Sequence, residues 1–414
     1  MGGGDAIQRP RIQAGTRATF AVLWPDSRCY ADFMYTRRDS LCLLLAAVPF
    51  AAVPSFAGAR SGSEAYARAR AAYEREAEAY WAEVAEKRRA RSAKRRDRAP
   101  VTLNDYVLSQ PPVYSGPPTP PAPDRPRPPR ARIPVIADFL AAAEQEYGFL
   151  PELASEAEFK RAYARAAVAA GLTREQIVGI YIFETGGNGR YDTQAGVRKP
   201  GDPAISPAVG YNQLLSTNTV GLLAEHGDEY LALLKRRASE LRGTARSFMD
   251  HKIAALARMV KTAKSLPFKW SEHDEFAKNT RRGWGMHAAV LDLDIGPFLQ
   301  VRKLVNSVNY ARRHGYARTL TAAELELMNF TGDGNGIDLV TMPHTLRPTV
   351  PTANFFQRLG YERNPIASRT GVVSAMIESM EKRMANSQAA GVSELAAAFD
   401  EAGRGGAADV RSAR

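Results

Sequence analysis

The chain has 414 residues, 45% of them hydrophobic and 24% charged, with a formal net charge of +12 at pH 7. This is an ordinary globular composition, long enough for two or three units of about 150 residues each, and it excludes collagen-like and low-complexity classes for most of the chain. The charge is uneven: residues 60–132 hold 16 Lys+Arg against 9 Asp+Glu, and residues 133–414 hold 34 against 31, so the basic balance sits in one segment and a nucleic-acid-binding body is not implied.

Residues 1–33 read as an upstream extension ahead of a start at Met34. Arg37 and Arg38 precede an apolar run, Leu41 to Phe56, closed by Ala57-Gly58-Ala59. A charged start, an apolar centre and a small-x-small ending mark a secretory signal peptide over 34–59, cleaved near Ala59. The run is interrupted by Pro49 and Pro54 and falls short of the roughly 20 residues that a membrane span needs. Thr36-Arg37-Arg38-Asp39-Ser40-Leu41 is also similar to the twin-arginine export signal. Export to the periplasm or cell envelope, by the Sec or the twin-arginine route, is the expectation. Both cysteines, Cys29 and Cys42, precede the cleavage point, so the mature chain would hold no thiol nucleophile, disulfide or zinc-thiolate site.

Residues 60–99 then predict a charged helical arm rich in Ala, Glu and Arg, ending in Lys87-Arg88-Arg89 and Lys94-Arg95-Arg96. Such a helix is a solvated stalk or an arm held to anionic envelope polymer or a membrane surface. Residues 100–133 form a Pro-rich linker, 12 of the 26 prolines lying between Pro100 and Pro134.

A mostly α domain of about eight helices is expected over 134–386. Ser155-x-x-Glu158, Thr173-x-x-Gln176 and Thr321-x-x-Glu324 are capping boxes, each followed by apolar residues. Further helical runs are 135–147, 213–225, 245–264, 296–314 and 367–385, and a long irregular insertion covers 186–207. Trp270, Trp284 and Phe298 read as core, and Asp292 and Asp294 as structural. The tail, 387–414, predicts one weak helix at 393–403 within a flexible segment.

The sharpest local feature is Ile177-Val178-Gly179-Ile180-Tyr181-Ile182-Phe183-Glu184 before Thr185, Gly186 and Gly187. Apolar on every face, it predicts a buried central helix that ends on one carboxylate. Apolar surroundings and the negative end of the helix dipole both raise the proton affinity of Glu184, as a catalytic acid near neutral pH requires. Asp192 and Asp202, in the insertion, are candidates for a second carboxylate; a separation of about 6.5–9.5 Å with a water between would favour inverting hydrolysis.

Beyond the insertion comes Ser206-Pro207-Ala208-Val209-Gly210-Tyr211-Asn212-Gln213-Leu214. Glu184-Thr185 with Asn188, Ser206 with Gly210-Tyr211-Asn212-Gln213, and the Asn329-Phe330-Thr331-Gly332 turn together resemble the soluble lytic transglycosylases and goose-type lysozymes, of the lysozyme-like superfamily and glycoside hydrolase family 23. The likeness is carried by 173–220 and more weakly by 320–340. Glu184 and Gln213 are further apart than is usual in that family, and Asn212 replaces an apolar residue. The resemblance implies a lysozyme-like fold and cleavage of the β-1,4 bond between N-acetylmuramic acid and N-acetylglucosamine in peptidoglycan strands, with no cofactor. Glu184 would be the catalytic residue, with Thr185, Asn188, Ser206, Gly210, Tyr211, Asn212, Gln213 and Asn329 in the substrate site.

Asp333-Gly334-Asn335-Gly336-Ile337-Asp338 matches the middle of a calcium loop and lacks both ends, so it reads as a glycine-rich turn. The six histidines show no paired zinc spacing, and no metal is expected.

Overall fold

The computed structural model describes residues 56–120, 132–385 and 388–412. The upstream extension, nearly all of the predicted export signal and part of the linker lie outside the described residues. The chain follows its helix signals closely. After α1 (Phe56–Arg96) come α2 (Ile136–Tyr147), α3 (Glu156–Ala169), α4 (Arg174–Thr185), α5 (Ser216–Glu240), α6 (Gly243–Lys264), α7 (Trp270–Asn279), α8 (Arg281–His287), α9 (Gly296–Arg313), α10 (Ala322–Thr331), α11 (Asp333–Val340), α12 (Arg358–Glu362), α13 (Pro365–Thr370), α14 (Val373–Met384) and α15 (Ala390–Ser412). Among the described residues β-pairing is confined to isolated bridges, and no helix is long and apolar enough to cross a membrane.

All three capping boxes form. Ser155, Thr173 and Thr321 accept from the backbone N–H three residues on and open α3, α4 and α10. Each satisfies two otherwise orphaned donors at a helix start, which fixes where the element begins.

The fold is organised around α4. Ile177, Ile180, Tyr181, Ile182 and Phe183 are at most 3% exposed. Burying each such side chain is worth about 1.5–3 kcal/mol, so this one helix anchors two cores. Its Ile177, Ile180 and Tyr181 belong to a large core built with α2, α3, α5, α6, α8 and α9, while Phe183 enters a second one with α1, α10, α13 and α14. Beneath the larger core, Lys252 meets Asp292 at 3.0 Å and Asp294 at 2.6 Å, all three buried, tying α6 to the turn before α9. A buried cation between two carboxylates needs both partners, which gives the two aspartates their structural part.

Several expectations change. The arm is not a solvated stalk over its basic end. Arg91 is wholly buried and donates to the carbonyls of Asp105 and Asn354, each at 2.9 Å. Arg95 pairs with Asp338, Lys94 with Asp105, and Arg88 donates to the Phe356 carbonyl. The cluster is therefore largely engaged by the chain's own groups. The start of the linker docks with it, burying Tyr106 and Val107 in the second core. Asn354 clasps that segment, accepting from the Val107 N–H and donating to its carbonyl. The tail likewise packs: α15 begins earlier than the predicted 393–403 helix and puts Val392 and Leu395 into the main core. Residues 333–338 lie within the helix α11 rather than forming an open turn. Trp270 is 58% exposed and so is not core, whereas Trp284 and Phe298 are partly buried against the main core.

Candidate functional site

Glu184 stands in the last turn of α4, partly accessible, between the buried Phe183 and Thr185. Two crossings decide what it meets. Gly179 carries no Cβ where one would lie 2.7 Å from the Ala322 Cβ, so α10 can approach α4 closely. One turn further along both helices, the Glu326 carboxyl hydrogen-bonds that of Glu184. Glu326 is fully buried, and the Asn329 side-chain amide lies 3.4 and 3.5 Å from its two oxygens. On the α14 side, Arg383 lies over the Phe183 ring at 4.8 Å and places its positive charge near Glu184.

Burial is the leading cause at both carboxyls and raises both. Glu184 is pushed up to about 7, with the Glu326 hydrogen bond and Arg383 pulling the other way. Glu326 rises well above the usual carboxylate range, because burial, the Glu184 charge and the hydrogen bond all favour its neutral form over the opposition of Asn329 and Lys303. Two carboxyls in contact, one of them fully buried, cannot both ionise at ordinary cost, so the pair holds a proton. A partly accessible group that gains and loses its proton near neutrality can act as acid in one step and base in the next.

The other sequence-predicted residues do not all gather here. Thr185 is buried and its hydroxyl donates to the Tyr181 carbonyl within α4. Asn188, exposed, accepts from the Gly391 N–H and ties the loop to α15. Ser206 accepts from the Ala208 N–H across a short turn. Tyr211 is wholly buried, edge-on to Phe159, Tyr163 and Tyr181, and donates to Glu156 at 2.6 Å. Asn212, also buried, accepts from the Tyr163 hydroxyl and donates to the Gln300 carbonyl. Gln213 adopts φ 43° and donates to the carbonyls of Thr193 and Gly210. Gly210 has φ 90°, and a Cβ there would fall 2.7 Å from the Gln300 side-chain oxygen. The Gly210-Tyr211-Asn212-Gln213 segment is thus a pinned turn in which Tyr211 and Asn212 are buried. Asn329 alone among these polar candidates is seen to join the carboxyl pair.

Asp192 pairs with Arg190, and Asp202 accepts from the N–H groups of Arg198 and Lys199. The second carboxylate that meets Glu184 is Glu326, which the sequence reading missed. Its signal was present: a lone acid in the apolar run Leu325-Glu326-Leu327-Met328, three residues before Asn329 and so on the same helix face.

A concave space of about 370 Å³ runs along the same junction of α4, α10 and α14, lined by Val178, Gly179, Ile182, Ala322 and Met384 among others. Its lining includes none of the sequence-predicted site residues. Among the described residues no group of three or more His, Cys, Asp or Glu could hold a metal ion. No protein-family model, no curated protein and no solved structure matches this chain.

Proposed function

We propose that this chain is an exported peptidoglycan-cleaving enzyme, a lytic transglycosylase acting on the β-1,4 bond between N-acetylmuramic acid and N-acetylglucosamine. The single observation that supports it is Glu184: a partly accessible carboxyl at the tip of the central buried helix, whose proton affinity is raised to neutrality by burial. In this reading Glu184 gives its proton to the glycosidic oxygen as that bond breaks, and the substrate's own N-acetyl group stabilises the positive charge that forms. The carboxylate then takes the proton from the muramic acid 6-hydroxyl, whose oxygen closes the 1,6-anhydro ring. No water and no second reacting carboxylate are consumed, in contrast to two-carboxylate schemes. It is joined by the resemblance carried by 173–220, from Glu184-Thr185 and Asn188 to Ser206 and Gly210-Tyr211-Asn212-Gln213, and more weakly by the Asn329 turn.

Direct contact between Glu184 and Glu326 leaves no room for a water between them, so Glu326 is not the base of an inverting hydrolysis, which needs about 6.5–9.5 Å between carboxyls. Purified glycan strands digested with the full chain and read by mass spectrometry decide the matter. Anhydro ends support the lyase, reducing ends a lysozyme-type hydrolase, and uncut strands a non-catalytic wall-binding envelope protein. Glu184→Gln abolishes cleavage with the fold retained; activity surviving in that variant ends the reading.

A further inference from the structure

Which of the two carboxyls carries the negative charge is settled by what surrounds each. Glu184 has partial access to solvent and Arg383 beside it. Glu326 has no such access: it is 0% exposed, and its flanking neighbours Leu325, Leu327 and Met328 are buried apolar side chains. The groups that face it are Glu184 from α4, the Asn329 amide from its own helix, Lys303 from α9 and, from α3, the Tyr163 phenol, which senses Glu326 while donating to Asn212. On α11, Asp333 is taken up by Ser307, and Asp338 by Arg95. On α14 the cation lies on the Glu184 side. α15 sends its Glu394 to Lys160.

From this placement we infer that Glu326 is a positioning residue for Glu184: a carboxylic acid that stays neutral and donates its O–H to the Glu184 carboxylate, aiming that group. A neutral acid in an apolar site is a strong hydrogen-bond donor that costs no buried charge. The bond is stronger to the ionised Glu184 than to its neutral form, so it eases the loss of the Glu184 proton and offsets part of what burial does. Gly179 is what permits it, since the close helix crossing brings the two side chains within reach. The catalytic meaning of this bond rests on the reading of Glu184 given above; the bond itself does not.

The test therefore separates the two. The full chain, labelled with ¹³C at glutamate side-chain carboxyls, is titrated by NMR as wild type, Glu184→Gln, Glu326→Gln and Glu326→Leu. In the wild type, the resonance lost in Glu184→Gln titrates near pH 7, and the one lost in Glu326→Gln stays protonated after Glu184 has ionised. Glu326→Gln keeps a neutral donor and leaves the Glu184 midpoint close to the wild-type value. Glu326→Leu removes the donor and raises that midpoint by about one unit. If Glu326 titrates as an ordinary carboxylate, or if the leucine variant leaves Glu184 unmoved, the inference falls. Should the leucine variant not fold, the wild-type and glutamine titrations still decide it. Cleavage rates measured across pH follow the same midpoints if Glu184 is the acid; if the NMR results hold and the rates do not follow, the functional reading fails and the proton arrangement stands.

Discussion

Tyr211 shows how the same side chain can serve two unlike purposes. Its phenol is enclosed by three aromatic rings and ends on the Glu156 carboxylate. Removing the hydroxyl as Tyr211→Phe leaves the ring packing and strips one charge-assisted bond from a part-buried acceptor. A loss of about 1.5–3 kcal/mol in urea unfolding is expected, with cleavage of glycan strands unchanged. A large fall in cleavage with stability intact would mean that Tyr211 acts in the substrate site. The sequence pattern around it was legible as a special turn and not as to its purpose. Amides, hydroxyls and a tyrosine after a glycine suit a sugar site, and they equally suit a loop that must satisfy its own backbone. Glu184 was legible because one carboxylate at the end of an all-apolar helix has few structural uses. Glu326 carried the same signal, masked by the capping acid Glu324 two residues earlier, which supplied a ready explanation for acids in that stretch.

Helix starts were readable at the three capping boxes, Ser155, Thr173 and Thr321, where a reciprocal local hydrogen bond defines them. The docking of α1 was not, because its partners Asp338 and Asn354 lie some 250 positions away along the chain, and sequence spacing says nothing about them. A basic run reads as solvated until its acceptors are known. Arg91 is the sharpest case: burial disfavours its charge, and Tyr106, Asp338 and Asp105 compensate. Arg91→Ala leaves the carbonyls of Asp105 and Asn354 without their donor and Asp338 with only Arg95, so a loss of about 3–5 kcal/mol is expected from calorimetry. A change near zero would mean that α1 does not stay docked in solution. At the other crossing, Gly179→Ala places a methyl against Ala322 at 2.7 Å. Overpacking of this kind costs about 1–3 kcal/mol, and it parts α4 from α10 where the carboxyls meet. Cleavage should therefore fall more than the modest loss of stability explains, as judged by rates measured well below the melting temperature.

Over the whole molecule, two buried sites make stability depend on pH in opposite senses. His287, buried between the Thr219 hydroxyl and the Pro207 carbonyl, is brought down by burial to about 4. Its folded value lies below the ordinary histidine range, so the stability it gives is present above pH 6.5 and is lost as pH falls through about 4. The carboxyl pair is raised, so its contribution is complete below the ordinary glutamate range and is lost as pH rises through about 7, with Glu326 extending the loss to higher pH. Melting temperatures should therefore be highest near pH 5 and decline as pH rises through about 7, where the loss from the carboxyl pair is no longer offset by the gain from His287. In the double variant Glu184→Gln with Glu326→Gln, neither group can ionise, and that decline should flatten while the acid-side fall from His287 stays. A wild-type melting temperature that is the same at pH 5 and pH 8 would mean the pair is hydrated and ordinary. The same result would deprive Glu184 of the neutral-range proton on which its use as an acid depends.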